Sequence, residues 1–167
     1  RVYKVSVNGN VLKAENDKYS FVLNSDADVK VKILGANEPD PVPVTKTILI
    51  ADVAKAEEWA NSIQYTSFTV DDIITFSCNG QSGKNTGKYY TNGENWRIYS
   101  SEGGSITITI DDKYEFVSFS YLRSGKDDGG LKNYDQGVKY NIAGNSVTIE
   151  AAAKTFLSSF TIEYIEK

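Results

Sequence analysis

Ile106, Ile108 and Ile110 alternate with Thr107 and Thr109, and no other feature of the chain restricts its fold so tightly. Successive side chains of a β-strand point to opposite faces, so this stretch sets three isoleucines on one face and the threonines on the other. That is a half-buried strand with isoleucine inward. The end of the chain repeats the pattern, with Phe160, Ile162 and Tyr164 opposite Ser159, Thr161 and Glu163. Apolar runs predict strands at 47–51, 73–78, 88–90, 96–99, 105–110, 115–122, 139–142, 146–150 and 156–165. Turn clusters such as Glu102-Gly103-Gly104 and Ala143-Gly144-Asn145 separate them. Short strands at this spacing predict the all-β class, an antiparallel jelly-roll-like β-sandwich. One short helix is expected at 53–60, with Asp52 accepting an orphan amide of its first turn.

All three prolines fall in Pro39-Asp40-Pro41-Val42-Pro43. Proline fixes φ and lacks a donor, so residues 37–45 are extended and predict a semi-rigid linker. It separates residues 1–36 from a β-sandwich domain over 46–167. The first segment carries weak alternation at 2–7, an Asn8-Gly9-Asn10 turn, and short runs at 19–23 and 29–33. Such a segment is too short to bury much apolar surface alone. It reads as the closing hairpins of an immunoglobulin-like module or as a small appendage on the main domain.

The missing residue types exclude most catalytic machinery. With no histidine, Ser-His-Asp and Cys-His catalysis, His-ligated zinc and HExxH proteases all fall away. Cys78 is the only cysteine, so there is no intrachain disulfide and no CxxC pair. A net charge of −4 argues against a nucleic-acid partner, which needs a basic face to neutralise phosphates. No apolar run approaches the ~18 residues of a membrane span, so no membrane insertion is expected. No signal peptide opens the chain, but a start at Arg1 rather than Met suits an excised fragment and leaves the question of a leader open. No cofactor is implied.

Aromatic residues are plentiful, with 11 Tyr, 7 Phe and 2 Trp. They are densest in residues 85–99, where Lys88, Tyr89, Tyr90, Asn95, Trp96 and Arg97 surround an Asn92-Gly93 turn. Aromatic faces stack on the C–H-rich faces of sugar rings while amides and cations bond the hydroxyls, which is what a shallow sugar site needs. On a strand, Trp96 and Ile98 point one way and Arg97 and Tyr99 the other, so one pair must face the core. Tyr89 and Tyr90 are split in the same manner. A second candidate is the long loop 123–137, where Lys126, Asp128 and Tyr134 could line one wall of a groove or simply form a solvated loop. Trp59, with Tyr65 and Phe68, reads as a plug at one end of the sandwich. The pairs Asp71-Asp72, Asp111-Asp112 and Asp127-Asp128 read as turn residues, because neighbours on a strand diverge and make no acid/base dyad.

The Gly87-Lys88-Tyr89-Tyr90 and Asn95-Trp96-Arg97-Ile98-Tyr99 segments, followed by a Thr/Ile-alternating strand, resemble a recurring β-sandwich domain of secreted, multi-domain surface proteins of gut bacteria. Gln64-Tyr65, the strand at 75–77 and the closing strand at 159–164 fit the same pattern, and the likeness covers roughly residues 46–167. Proteins of that layout include carbohydrate-binding components of starch adherence (amylosome) systems. The resemblance implies a non-catalytic polysaccharide-binding module, for an α-glucan such as starch, in a secreted or cell-surface protein beside neighbouring modules. The alternative is a structural or protein-interaction domain, an adhesin or scaffold part, to which the proline linker and the truncated first segment point.

Overall fold

The computed structural model describes residues 2–7, 10–12, 19, 29–34, 41–80, 83–125 and 129–167. The chain divides into two compact units, Arg1–Val42 and Pro43–Lys167. In the first, strands β1 (Val2–Val7), β2 (Asn10–Val11) and β3 (Val29–Leu34) form an antiparallel sheet in the order β2-β1-β3. Val7 pairs with Asn10 across the first hairpin, and Val5 is buried. Asn8 and Gly9, most of the strand expected at 19–23 and the 37–40 part of the linker lie outside the described residues.

The second unit opens with β4 (Val44–Leu49), which runs directly into the helix α1 (Ile50–Ala56). This helix starts three residues earlier than its apolar spacing suggested. Its N-cap position is Leu49, which makes no side-chain cap, and Asp52 lies within the first turn. There its charge still opposes the positive helix end. Ile50 and Ala54, one turn apart, form the buried stripe. Glu58 adopts a left-handed φ of 53°, which ends the helix and turns Trp59 inward.

The remaining strands are β5 (Ser67–Val70), β6 (Ile74–Asn79), β7 (Lys88–Tyr90), β8 (Asn95–Ile98), β9 (Ser105–Ile110), β10 (Tyr114–Arg123), β11 (Tyr140–Asn141), β12 (Ser146–Glu150) and β13 (Thr155–Glu166). They form two antiparallel sheets packed as a sandwich. The smaller runs β12-β9-β6-β5. The larger runs β11-β10-β13-β8-β7, with β4 also paired to β13. Strand β13 is its spine: its first half pairs with β8 and its second half with β4, while β10 runs along the other side. The β5 strand, with a single buried aromatic in Ser67–Val70, was not foreseen as a separate strand. Asp71 and Asp72 close its hairpin, both at positive φ (53° and 56°), with the Ile73 N–H donating to Val70 O at 3.0 Å. Two consecutive left-handed residues are what a tight primed hairpin turn demands, and aspartate tolerates them better than most residues.

The alternation behaves as expected. Ile106, Ile108 and Ile110 are buried, and the outward hydroxyls of Thr107 and Thr148 meet at 2.8 Å across β9 and β12. The two sheets meet through aromatic rings, Phe76 on Phe160 at 4.7 Å and Phe68 edge-on to Trp96 at 5.4 Å. Trp59 stacks on Tyr65 at 4.5 Å and 6° and is itself part of this core.

Candidate functional site

Strands β7 and β8 pair in the register Lys88↔Arg97, Tyr89↔Trp96 and Tyr90↔Asn95. Strand alternation then sends Tyr89 and Trp96 inward and leaves Lys88, Tyr90, Asn95 and Arg97 on the outer face. Trp96 is 0% exposed and Tyr89 5%. The Trp96 indole N–H donates to both Tyr65 O (2.9 Å) and Gly87 O (3.0 Å). A buried indole with its donor satisfied twice offers no face to a sugar. The expectation that Trp96 and Tyr89 form a stacking platform is therefore corrected: both belong to the core. Gly87 makes the arrangement possible. Its φ is 88°, and a Cβ there would fall 2.9 Å from Tyr65 O and 2.6 Å from Cys78 Sγ.

The outer face carries a different constellation. The Arg97 guanidinium carbon lies 3.6 Å from the Tyr90 ring centroid and 4.0 Å from that of Phe156, which pairs with Arg97 from β13. Arg97 Nε donates to Asn95 Oδ1 at 2.8 Å, and Asn95 Nδ2 donates to Ser124 Oγ at 3.0 Å. Asn95 is 2% exposed, so it acts as a brace under Arg97 and does not reach solvent. Lys154 Nζ stands 5.1 Å from the Phe156 ring, and Lys88 Nζ donates to Asn85 Oδ1 at 3.0 Å. Tyr90, Arg97, Phe156 and Lys88 are each half-buried, and Lys154 is exposed.

Asn85 links this face to Glu102. The Glu102 carboxylate accepts from the Asn85 side chain (2.8 Å) and from the backbone N–H groups of Asn85 (3.2 Å) and Thr86 (2.7 Å). Burial pushes its carboxyl up, but these donors outweigh that and hold it below the usual range. The clasp fixes the chain entering β7. Cys78 is half-buried and its thiol is pushed up to about 12 by burial. That describes a packed side chain and not a nucleophile.

Tyr134 lies elsewhere. Its ring packs against Phe119 (5.2 Å) and Tyr140 (4.8 Å), on the β10–β11 side of the large sheet, whereas β7 is the opposite edge. The described part of its loop is pinned. The Tyr121 hydroxyl donates to Tyr134 O at 2.7 Å and accepts from Leu131 N–H at 3.0 Å, and Leu131 is buried. Tyr134 thus does not share a wall with Tyr90. Lys126 and Asp128 lie outside the described residues, as does Asp127.

Of the residues singled out beforehand, Lys88, Tyr90 and Asn95 come together. Phe156 and Lys154 were missed, because only the register of β13 against β8 places them beside Arg97. A groove of about 330 Å³ lies in another region, between β4, α1 and the β5–β6 turn, with Leu49, Val53 and Val70 as apolar lining and Asp52, Glu57 and the Lys46–Asp71 ion pair (2.6 Å) as polar lining. Among the described residues no group of three or more acidic or thiol side chains could hold a metal, and no helix is long and apolar enough to cross a membrane. Compared with known proteins, the chain matches no family model, no curated protein and no solved structure, so its identity stands as a mostly-β protein built from antiparallel sheets.

Proposed function

We propose that this chain is a non-catalytic polysaccharide-binding module of a secreted or cell-surface protein, with its site on the outer face of β7, β8 and β13. The observation that carries this reading is the Tyr90–Arg97–Phe156 stack, flanked by Lys88 and Lys154. It joins half-exposed aromatic surface to polar donors on a rigid sheet, the combination that a shallow sugar site needs. Asn95 contributes by bracing Arg97, and Trp96 and Tyr89 contribute only by holding the strands in register. The resemblance of residues 46–167 to carbohydrate-adherence domains points the same way. A shallow site of this kind binds weakly, with Kd on the order of 10 µM to 1 mM, and neighbouring modules raise the avidity.

The test is retention of the chain on insoluble or gel-immobilised polysaccharides, with Tyr90→Ala alongside. Retention on at least one polymer, weakened about tenfold or more in a variant that melts like the parent, supports the site. Retention unchanged by Tyr90→Ala moves the site, and no retention on any polymer sinks the reading.

A second reading, a structural or protein-interaction domain, draws on the groove beside β4 and β5. Among the described residues both are edge strands, with unpaired backbone groups on one side, and Val44 and Leu49 are exposed. Its signature is capture of a specific protein together with no retention on any glycan.

A further inference from the structure

We infer that Arg97 is a preformed anion fork, and that the polysaccharide taken by this face carries acidic groups, uronate carboxylates or sulfate esters, in place of the neutral α-glucan that the sequence resemblance suggests. The inference rests on the polysaccharide reading above and names the ligand class of the same site.

The geometry of Arg97 is the reason. Its guanidinium plane is clamped by Tyr90 at 3.6 Å and Phe156 at 4.0 Å. Its Nε is taken by Asn95 Oδ1, and Asn95 is in turn held by Ser124. The clamp and the brace fix the plane and the rotation of the group. The two terminal nitrogens remain, and they form the edge that pairs with two oxygens of a carboxylate or sulfate. The entropy normally lost in ordering an arginine has already been lost on folding, so an incoming anion meets an oriented fork.

Charge supports the same conclusion. Lys88 and Lys154 flank Arg97, giving three cations on one face of a chain whose net charge is −4. Among the described residues no carboxylate pairs with any of the three. Glu102 reaches Lys88 only through Asn85, and its oxygens already accept from Asn85 and Thr86. Glu94, in the exposed turn between β7 and β8, bonds to none of them. A neutral glucan needs no such concentration of positive charge. An acidic polymer does, since the molecule as a whole repels it and a local cationic face must overcome that.

The experiment is affinity electrophoresis of the chain in gels containing polygalacturonate, the same polymer with its carboxyls methyl-esterified, dextran sulfate, dextran or amylose. Polygalacturonate against its ester isolates the carboxylate, and dextran sulfate against dextran isolates the sulfate. Retardation by an anionic member of either pair, absent from its neutral counterpart and weakened by added salt, is the expected result. Arg97→Lys keeps the charge and loses the fork, and is expected to weaken that retardation about tenfold or more while still melting cooperatively, at a lower temperature because Asn95 Oδ1 loses its donor. Lys113→Gln removes a charge in the exposed β9–β10 turn, which bonds to Lys167 just past the C-terminal end of β13 while Phe156 stands at its other end, and is expected to bind like the parent. Equal retardation by charged and neutral partners, or by amylose alone, overturns the anionic inference and leaves the polysaccharide reading standing. Full retention in Arg97→Lys shows that charge and not the fork is read, and overturns the assignment of Arg97. No retardation in any gel overturns both.

Discussion

At the scale of single residues, Trp96 is where the chemistry suggested by composition and the chemistry of the fold diverge most. Its indole seals the space between β8 and β5 and satisfies two backbone carbonyls at once. Trp96→Ala is therefore expected to cost about 3–5 kcal/mol of stability, read from urea unfolding, because it opens a cavity and takes the indole donor from Tyr65 O, while Gly87 O keeps the Tyr65 N–H. A loss of binding in that variant would report unfolding and not a lost platform. A stability change under ~1 kcal/mol would contradict the core assignment. Arg97 and Tyr90 behave in the opposite sense. They lie on the outer face of the sheet, so their substitution should cost less stability than that of Trp96 and change binding.

At the scale of elements, the molecule depends on connections made by a few carboxylates. Glu102 ties the 3-10 turn at Ser100–Glu102 to the start of β7 through three hydrogen bonds. Glu163 on β13 accepts from Lys139 and from Ser118 Oγ, and these partners hold its carboxyl below the usual range. A carboxylate whose pKa is lower in the folded state than in the unfolded chain stabilises above the unfolded value. That stabilisation fades as pH falls through the folded value. The melting temperature should hold near neutrality and drop as the pH is lowered from about 4.5, the ordinary glutamate value. Glu102→Gln should flatten part of that drop. A variant with the same acid limb as the parent would show that Glu102 does not contribute.

At the scale of the whole molecule, every member of the aromatic and aliphatic core between Ile48 and Tyr164 lies in the second unit. A fragment spanning residues 43–167 is accordingly expected to fold alone, with a cooperative melt and near-ultraviolet circular dichroism that reports packed tryptophans. A non-cooperative melt would show that the first unit completes the core. The strand repertoire of this unit was legible in the sequence because period-two alternation is a local property, and Ile106–Ile110 or Phe160–Tyr164 can bury one face in only one way. The helix start at Ile50 was less legible, since β4 passes into it without a capping side chain. The split of Tyr89 from Tyr90, and of Trp96 from Arg97, was also readable from alternation. Which member of each pair faced inward was not, because that sign depends on the other sheet. Only the tertiary structure decided it, when Phe68 and Phe76 came to lie opposite Trp96 and Phe160. The same holds for the candidate site. Phe156 stands beside Arg97 only because β13, 59 residues later in the chain, pairs with β8 in that register. Local periodicity determines what each segment can become, and long-range strand pairing determines which side chains share a face.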